Sequence, residues 1–154
     1  MNNYEEKIKQ YIKDNNIKAE HLVFQQSCHS VADAAKAVNA NPEDFVKNIC
    51  IIDSKNNLIV AIVKGEDKVD LNKISKLLNI ERPRMATPDE ILEKTKYPCG
   101  GTPSFGYHAT FLIDEQVMEK EFVYSGGGSE NSLIKVSTKE LQKANNGKIL
   151  KIRK

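Results

Sequence analysis

Apolar residues recur at helical spacing at the start of the chain, where Tyr4, Ile8, Tyr11 and Ile12 stand among Glu and Lys. The pattern predicts an amphipathic helix over residues 3–14 that stops at Asn15 and Asn16. A short apolar run, Leu22-Val-Phe, reads as a strand within residues 21–26. Ser30 then caps a helix with Asp33 three residues on and Val31, Ala34, Ala35 and Val38 as a thin apolar face. Asn41 and Pro42 mark a second helix start, a short one. Here the period changes. Residues 45–53 and 58–64 are nearly continuous apolar runs on either side of the turn Ser54-Lys-Asn-Asn57. They predict a hairpin at the centre of a sheet, buried on both faces.

Beyond Gly65, Asp70 caps a helix with Leu71, Ile74, Leu77 and Leu78 on its buried face, and residues 82–86 read as a short strand. Thr87-Pro-Asp-Glu90 combines a cap, a first-turn proline and a capping-box glutamate, so a helix follows over residues 88–94. Residues 110–113 and 121–124 read as neighbouring strands separated by an acidic, exposed segment at 114–120. A glycine-rich turn, Ser125-Gly-Gly-Gly-Ser129, precedes a strand at 133–136, a helix capped by Ser137 with Glu140 at the box position, and a last strand at 149–152. Helices and strands mix without strict alternation, and several strand pairs have short links. The expected fold is α/β, one domain over residues 1–154, with a sheet of mixed direction and no double winding.

Composition narrows the function without naming it. With 154 residues, 40% hydrophobic and 29% charged, the chain can bury a real core as one domain. Its 23 basic and 21 acidic residues leave a net charge of +2, too small to announce a nucleic-acid binder by composition. The visible basic cluster is Lys148, Lys151, Arg153 and Lys154 at the C-terminus. Cys28, Cys50 and Cys99 are widely separated with no C-x-x-C pair, which fits a reducing cytoplasm better than a disulfide framework. The polar start Met-Asn-Asn-Tyr-Glu-Glu-Lys lacks a leader's apolar core, and no apolar run approaches the roughly 20 residues of a membrane span. A soluble intracellular protein with no membrane partner is expected.

Residues 97–108, Tyr-Pro-Cys-Gly-Gly-Thr-Pro-Ser-Phe-Gly-Tyr-His, fit no regular element. Two prolines and three glycines make this a shaped loop, either a tight connection or a binding surface with exposed amides. Neither glycine-rich stretch ends in Gly-Lys-Ser/Thr, which excludes a nucleotide-hydrolase phosphate loop, and no G-x-G-x-x-G opens a βαβ unit. Cys28, His29, Cys99 and His108 follow no familiar metal spacing, though a metal-dependent hydrolase built on them is one alternative. Cys99 with His108 as nucleophile and base is another. Lys47, beside an apolar strand, either reaches solvent along its stem or points its ammonium into a cleft.

Phe45-Val-Lys47-Asn-Ile, Val69-Asp-Leu-Asn-Lys-Ile, Arg84-Met-Ala-Thr-Pro-Asp-Glu-Ile and the 97–108 loop occur in an order that closely resembles the YbaK-like editing domain family associated with prolyl-tRNA synthetases. The resemblance spans about residues 20–142. It implies a mixed, mostly antiparallel sheet partly curled into a barrel, and an aminoacyl-tRNA deacylase acting without a cofactor or metal on mischarged tRNA, with a synthetase as a further partner. By the same resemblance Lys47 is the lysine on which activity depends, and Gly100 and Gly101 open a loop whose amides face the substrate. Cys28, His29, Asn48 and Thr102 are then substrate-binding candidates, as are Ser104, His108, Ser125 and Gly126. Two departures bear on which amino acid is removed: Ser104 stands where the family's loop writes proline, and the aspartate of some cysteine-specific members is replaced near Leu133. An activated ester needs a positioned water and oxyanion donors more than a covalent catalyst. Lys47 is accordingly expected to hold a phosphate or hydroxyl of the terminal adenosine, and Cys28, His29, Gly101 and His108 to form the amino-acid pocket. A binding module that recognises charged tRNA without cutting it is the other alternative.

Overall fold

Asn3–Asp14 forms helix α1, with Ile8 at its buried centre. The computed structural model describes residues 3–25 and 31–154, so the predicted cap at Ser30 lies outside the described residues. Strand β1 (Ala19–Val23) starts two residues before the expected run and is followed by helix α2 (Val31–Val38) and a single 3-10 turn at Pro42–Asp44. The hairpin forms as its pattern requires, β2 (Val46–Ile52) against β3 (Leu58–Lys64), in register from Val46 opposite Lys64 to Ile52 opposite Leu58.

Helix α3 (Leu71–Leu78) starts on Asp70, whose carboxylate accepts the Asn72 and Lys73 N–H groups. Leu77, expected on its inner face, is 49% exposed; the helix is only two turns long and its burial centres on Ile74. Two-residue strand β4 (Arg84–Met85) leads into α4 (Pro88–Thr95). There Thr87 and Glu90 cap each other's backbone, and the Arg84 guanidinium grips the Glu90 carboxylate with two bonds of 2.8 Å. After the long loop come β5 (Thr110–Asp114), β6 (Phe122–Gly126), β7 (Ser132–Ser137), α5 (Thr138–Asn145) and β8 (Lys148–Leu150).

The strands build two sheets, where one was expected. One runs β1-β7-β6, all antiparallel; the other runs β4-β2-β3-β5-β8, antiparallel up to β3 and parallel beyond it. β5 and β6, expected as neighbours, belong to different sheets. The segment between them is not an exposed linker: Asp114 and Val117 are wholly buried, and Val117 plugs the main core at the crossing from one sheet to the other. The two sheets meet edge to edge at one parallel bridge, Phe45 to Tyr124, and do not close into a barrel.

Both faces of the hairpin are indeed covered. Cys50, Ile52, Val60 and Ile62 face the core shared with Val123, Ile134, Val136 and Ile8, whereas Ile51, Ile59, Ala61 and Val63 pack on Ile74 of α3. At roughly 1.5–3 kcal/mol per fully buried large apolar side chain, this double burial makes the hairpin the most strongly held part of the fold.

Candidate active site

β2 and β6 form a fork. Their Phe45 and Tyr124 rings stack at the bridge with centroids 4.9 Å apart. β4 covers β2 only at Ile51 and Ile52, so the β2 edge beyond the bridge, residues 46–49, has no strand along it among the described residues. Ala86 N–H donates to the Cys50 carbonyl. By the alternation of a ladder, the peptide groups of Asn48 point to that same uncovered edge. The fork holds a cleft of about 200 Å³, bordered by residues 45–49, Tyr124 to Gly126, and the Cys99, Gly100 and Thr102 part of the loop. Ala34, Ile91 and Leu133 complete an apolar wall.

Lys47 is the only charged side chain among the described residues that border this cleft. It is half-buried, and no described residue hydrogen-bonds or ion-pairs with its ammonium. Gly100 borders the same cleft from the loop with φ at 92°, and its N–H makes no backbone hydrogen bond among the described residues.

The fork is held open by a neutral knot. Asn48 Nδ2 donates to the Thr102 carbonyl at 2.9 Å and reaches Ser125 Oγ at 3.4 Å. Ser104 Oγ donates to Asn48 Oδ1 at 2.7 Å, which leaves the Ser125 hydroxyl to donate to Ser104 Oγ, also at 2.7 Å. Ser104 is completely buried and does not border the cleft, so its hydroxyl orients Asn48 and is shielded from any ligand there. Asn48, Thr102, Ser125 and Gly126 do border it.

Besides Ser104, two of the expected site residues take other positions. Gly101 donates its N–H to the Pro98 carbonyl and accepts from Gly128 with its own, so it has no amide to offer a substrate. Its role is close approach: a Cβ there would lie 2.5 Å from Ser129 N, and Gly101→Ala would push the two glycine loops apart instead of narrowing a pocket. His108 is exposed and borders two other hollows, one with Tyr11 and Lys148, the other with Asp53 and Leu78. It therefore neither joins the amino-acid pocket nor serves as base to Cys99, which sits exposed at the cleft. Cys28 and His29 lie outside the described residues. Among the described residues no group of three or more His, Cys, Asp or Glu is placed to hold a metal. Cys50 is inert: burial, with the Cys99 thiol nearby, raises its pKa to about 12. Of the apolar wall, Ile91 closes one of the motif stretches and Leu133 marks the departure near the replaced aspartate, whereas Ala34 read in the sequence as an ordinary helix position.

The model of the aminoacyl-tRNA editing domain matches residues 25–144, most of the chain and all of the described cleft. The chain belongs to the aminoacyl-tRNA editing domain family. Proteins of two kinds are similar to it. A Bacillus subtilis protein, YwhH, uncharacterised, is 27% identical over 128 residues, covering 82% of this chain and 81% of its own. The proline–tRNA ligase of Pseudothermotoga lettingae is 27% identical over 104 residues, 67% of this chain but only 18% of the ligase. Among solved structures, one described as a candidate trans-editing enzyme for prolyl-tRNA synthetase superposes with a TM-score of 0.92 at 22% identity, over 100% of this chain and 99% of the other. It shares the fold of this editing domain. No helix among the described residues is long and apolar enough to cross a membrane.

Proposed function

We propose that this editing domain is an aminoacyl-tRNA deacylase that hydrolyses the ester joining a wrongly attached amino acid to tRNA. One observation carries the proposal: Lys47, from β2, and Gly100, from a loop some fifty residues later, border a common cleft with no other charge among its described lining. The family match and the synthetase relative support it.

The chemistry follows from what borders the cleft. An ester carbonyl gains negative charge on oxygen as water adds to it, and a preorganised amide such as Gly100 N–H stabilises that charge most where water is excluded. Lys47, with no described partner to break from, holds a phosphate or hydroxyl of the terminal adenosine and so fixes the ester against the loop. No carboxylate or imidazole borders the cleft among the described residues. On this reading the described lining supplies orientation and charge stabilisation. The apolar wall of Ala34, Ile91 and Leu133 receives the amino-acid side chain, where a methylene is worth roughly 1–3 kcal/mol of discrimination.

The test is hydrolysis of alanyl-, cysteinyl-, seryl- and prolyl-tRNA by the purified chain. At least one should be cleaved well above the buffer rate; cleavage of none would overturn the proposal. The net charge of +2 further implies weak, salt-sensitive affinity for the tRNA body alone, and so a role for a synthetase partner. Tight binding of deacylated tRNA that salt leaves unchanged would remove that role.

A further inference from the structure

The family match begins at residue 25. The segment before it, residues 3–24, packs against both glycine loops that frame the cleft. The Tyr4 carbonyl lies where a Cβ on Gly128 would be 2.8 Å away, and Ile8 Cδ1 is 3.0 Å from the Cβ position of Gly106. Tyr11 stacks on Phe105 with centroids 6.2 Å apart, and Tyr4 meets the buried Tyr97 ring at 6.3 Å. Two polar contacts fix the ends. Lys7 Nζ donates to the Lys96 carbonyl at 3.2 Å and sits 4.4 Å from the centre of the Tyr97 ring, at the point where α4 turns into the loop. His21, on β1, donates from Nε2 to the Gly127 carbonyl at 2.8 Å, in the turn that leaves Gly126 at the cleft.

We propose that residues 3–24 are a brace for the editing cleft, with Lys7 and His21 as its positioning residues. They set where the loop carrying Gly100 and the turn following Gly126 stand relative to Lys47. The proposal rests on the deacylase reading for its catalytic consequence but not for its geometry. Neither side chain borders the cleft. Both grip a backbone carbonyl of a glycine loop or its entrance, and the loops themselves are pressed together by the Gly128 N–H to Gly101 carbonyl bond of 2.7 Å. A shift at Lys96 or Gly127 is therefore carried along the backbone to Gly100 and Gly126. Lys7 is exposed, so replacing it removes the grip while leaving the core intact.

The experiment uses the full chain and two readouts. Amide resonances of Gly100 and Gly126 are followed by NMR in Lys7→Met and His21→Ala, and in the conservative Lys7→Arg and His21→Gln, which keep a donor at similar reach. Deacylation kinetics are measured on the same proteins. The expected result is that both glycine resonances move in Lys7→Met and His21→Ala and return in the conservative pair. In parallel kcat falls by about tenfold to a hundredfold with KM nearly unchanged, and recovers with the resonances. Resonances that stay in place in a folded Lys7→Met protein overturn the brace, whatever the enzyme does. Resonances that move and return in a chain that cleaves no aminoacyl-tRNA leave the brace standing and overturn the deacylase reading alone.

Discussion

Two of the polar clusters in the interior of this fold are built from opposite materials. At the cleft, Asn48, Ser104 and Ser125 satisfy one another with neutral hydroxyl and amide groups. Far along the chain, the wholly buried Asp114 accepts the N–H groups of Ile152 and Arg153 at 2.9 and 3.1 Å, and the Arg153 guanidinium at 3.0 Å. The charged cluster ties down the C-terminal segment, which Lys73 also grips through the Arg153 carbonyl. The neutral cluster shapes a hollow without adding charge to it. A carboxylate in place of Asn48 or Ser125, the two members that border the cleft, would set a negative charge beside the cation that the cleft presents. The Asp114 and Arg153 charges lie outside the cleft's lining, and the cleft keeps one ammonium against an otherwise uncharged described lining.

The contrast is best broken at its charged end. Asp114→Ala leaves the buried Ile152 N–H and its neighbour without acceptors and should cost about 3 kcal/mol, a large share of a domain's stability. Denaturant unfolding measures it, and deacylation per folded molecule should stay near wild type. Lys47→Met should do the reverse, lowering deacylation by about a hundredfold with an unfolding midpoint close to wild type. Full activity in that variant would take Lys47 out of the mechanism. Ser104→Ala belongs between the two. It strands Asn48 Oδ1 and the Ser125 hydroxyl, costs about 1–3 kcal/mol, and lowers kcat modestly as Asn48 loses its orientation. A loss of stability with no change in kcat would make the knot a purely structural one.

The smallest effect lies at an exposed charge pair that belongs to neither cluster. The Arg84 fork, helped by the Thr87 N–H, lowers the Glu90 carboxyl to about 2 from an ordinary 4.5. A carboxyl depressed on folding stabilises above its unfolded value, and the contribution is lost as pH falls through the folded one. The stability gap between wild type and Glu90→Gln should thus be present at neutral pH and close between about pH 4.5 and 2 in acid unfolding. A gap that stays constant through that range would show that the Arg84 contact is not formed in solution.

Much of this was legible in the order of residues. The Thr87 to Glu90 capping box, the Asp70 and Ser137 caps and the doubly apolar hairpin are local or strongly patterned, and each appears where its pattern puts it. Lys47 stood out as a cation beside an apolar strand, and the 97–108 loop as a stretch no helix or strand could absorb. Less was legible at the site. Ser104 read as a loop hydroxyl facing substrate and proves to be an interior strut, because its partners, Asn48 and Ser125, are 56 and 21 residues away. His108 shared a loop with Gly100 and still borders other hollows, eight residues of irregular backbone further on.

The sequence alone determined the elements, their caps and the residue types on which hydrolysis of an activated ester could rest, because those depend on neighbours within a few positions. Tertiary structure decided that the strands form two sheets instead of one, that β5 and β6 part company around Val117, and that β2 and β6 splay beyond Phe45. Such outcomes depend on which distant surfaces fill one another's volume, and no local period along a chain encodes that. The cleft exists because of that splay, and it is the cleft that brings Lys47 and Gly100 to one border.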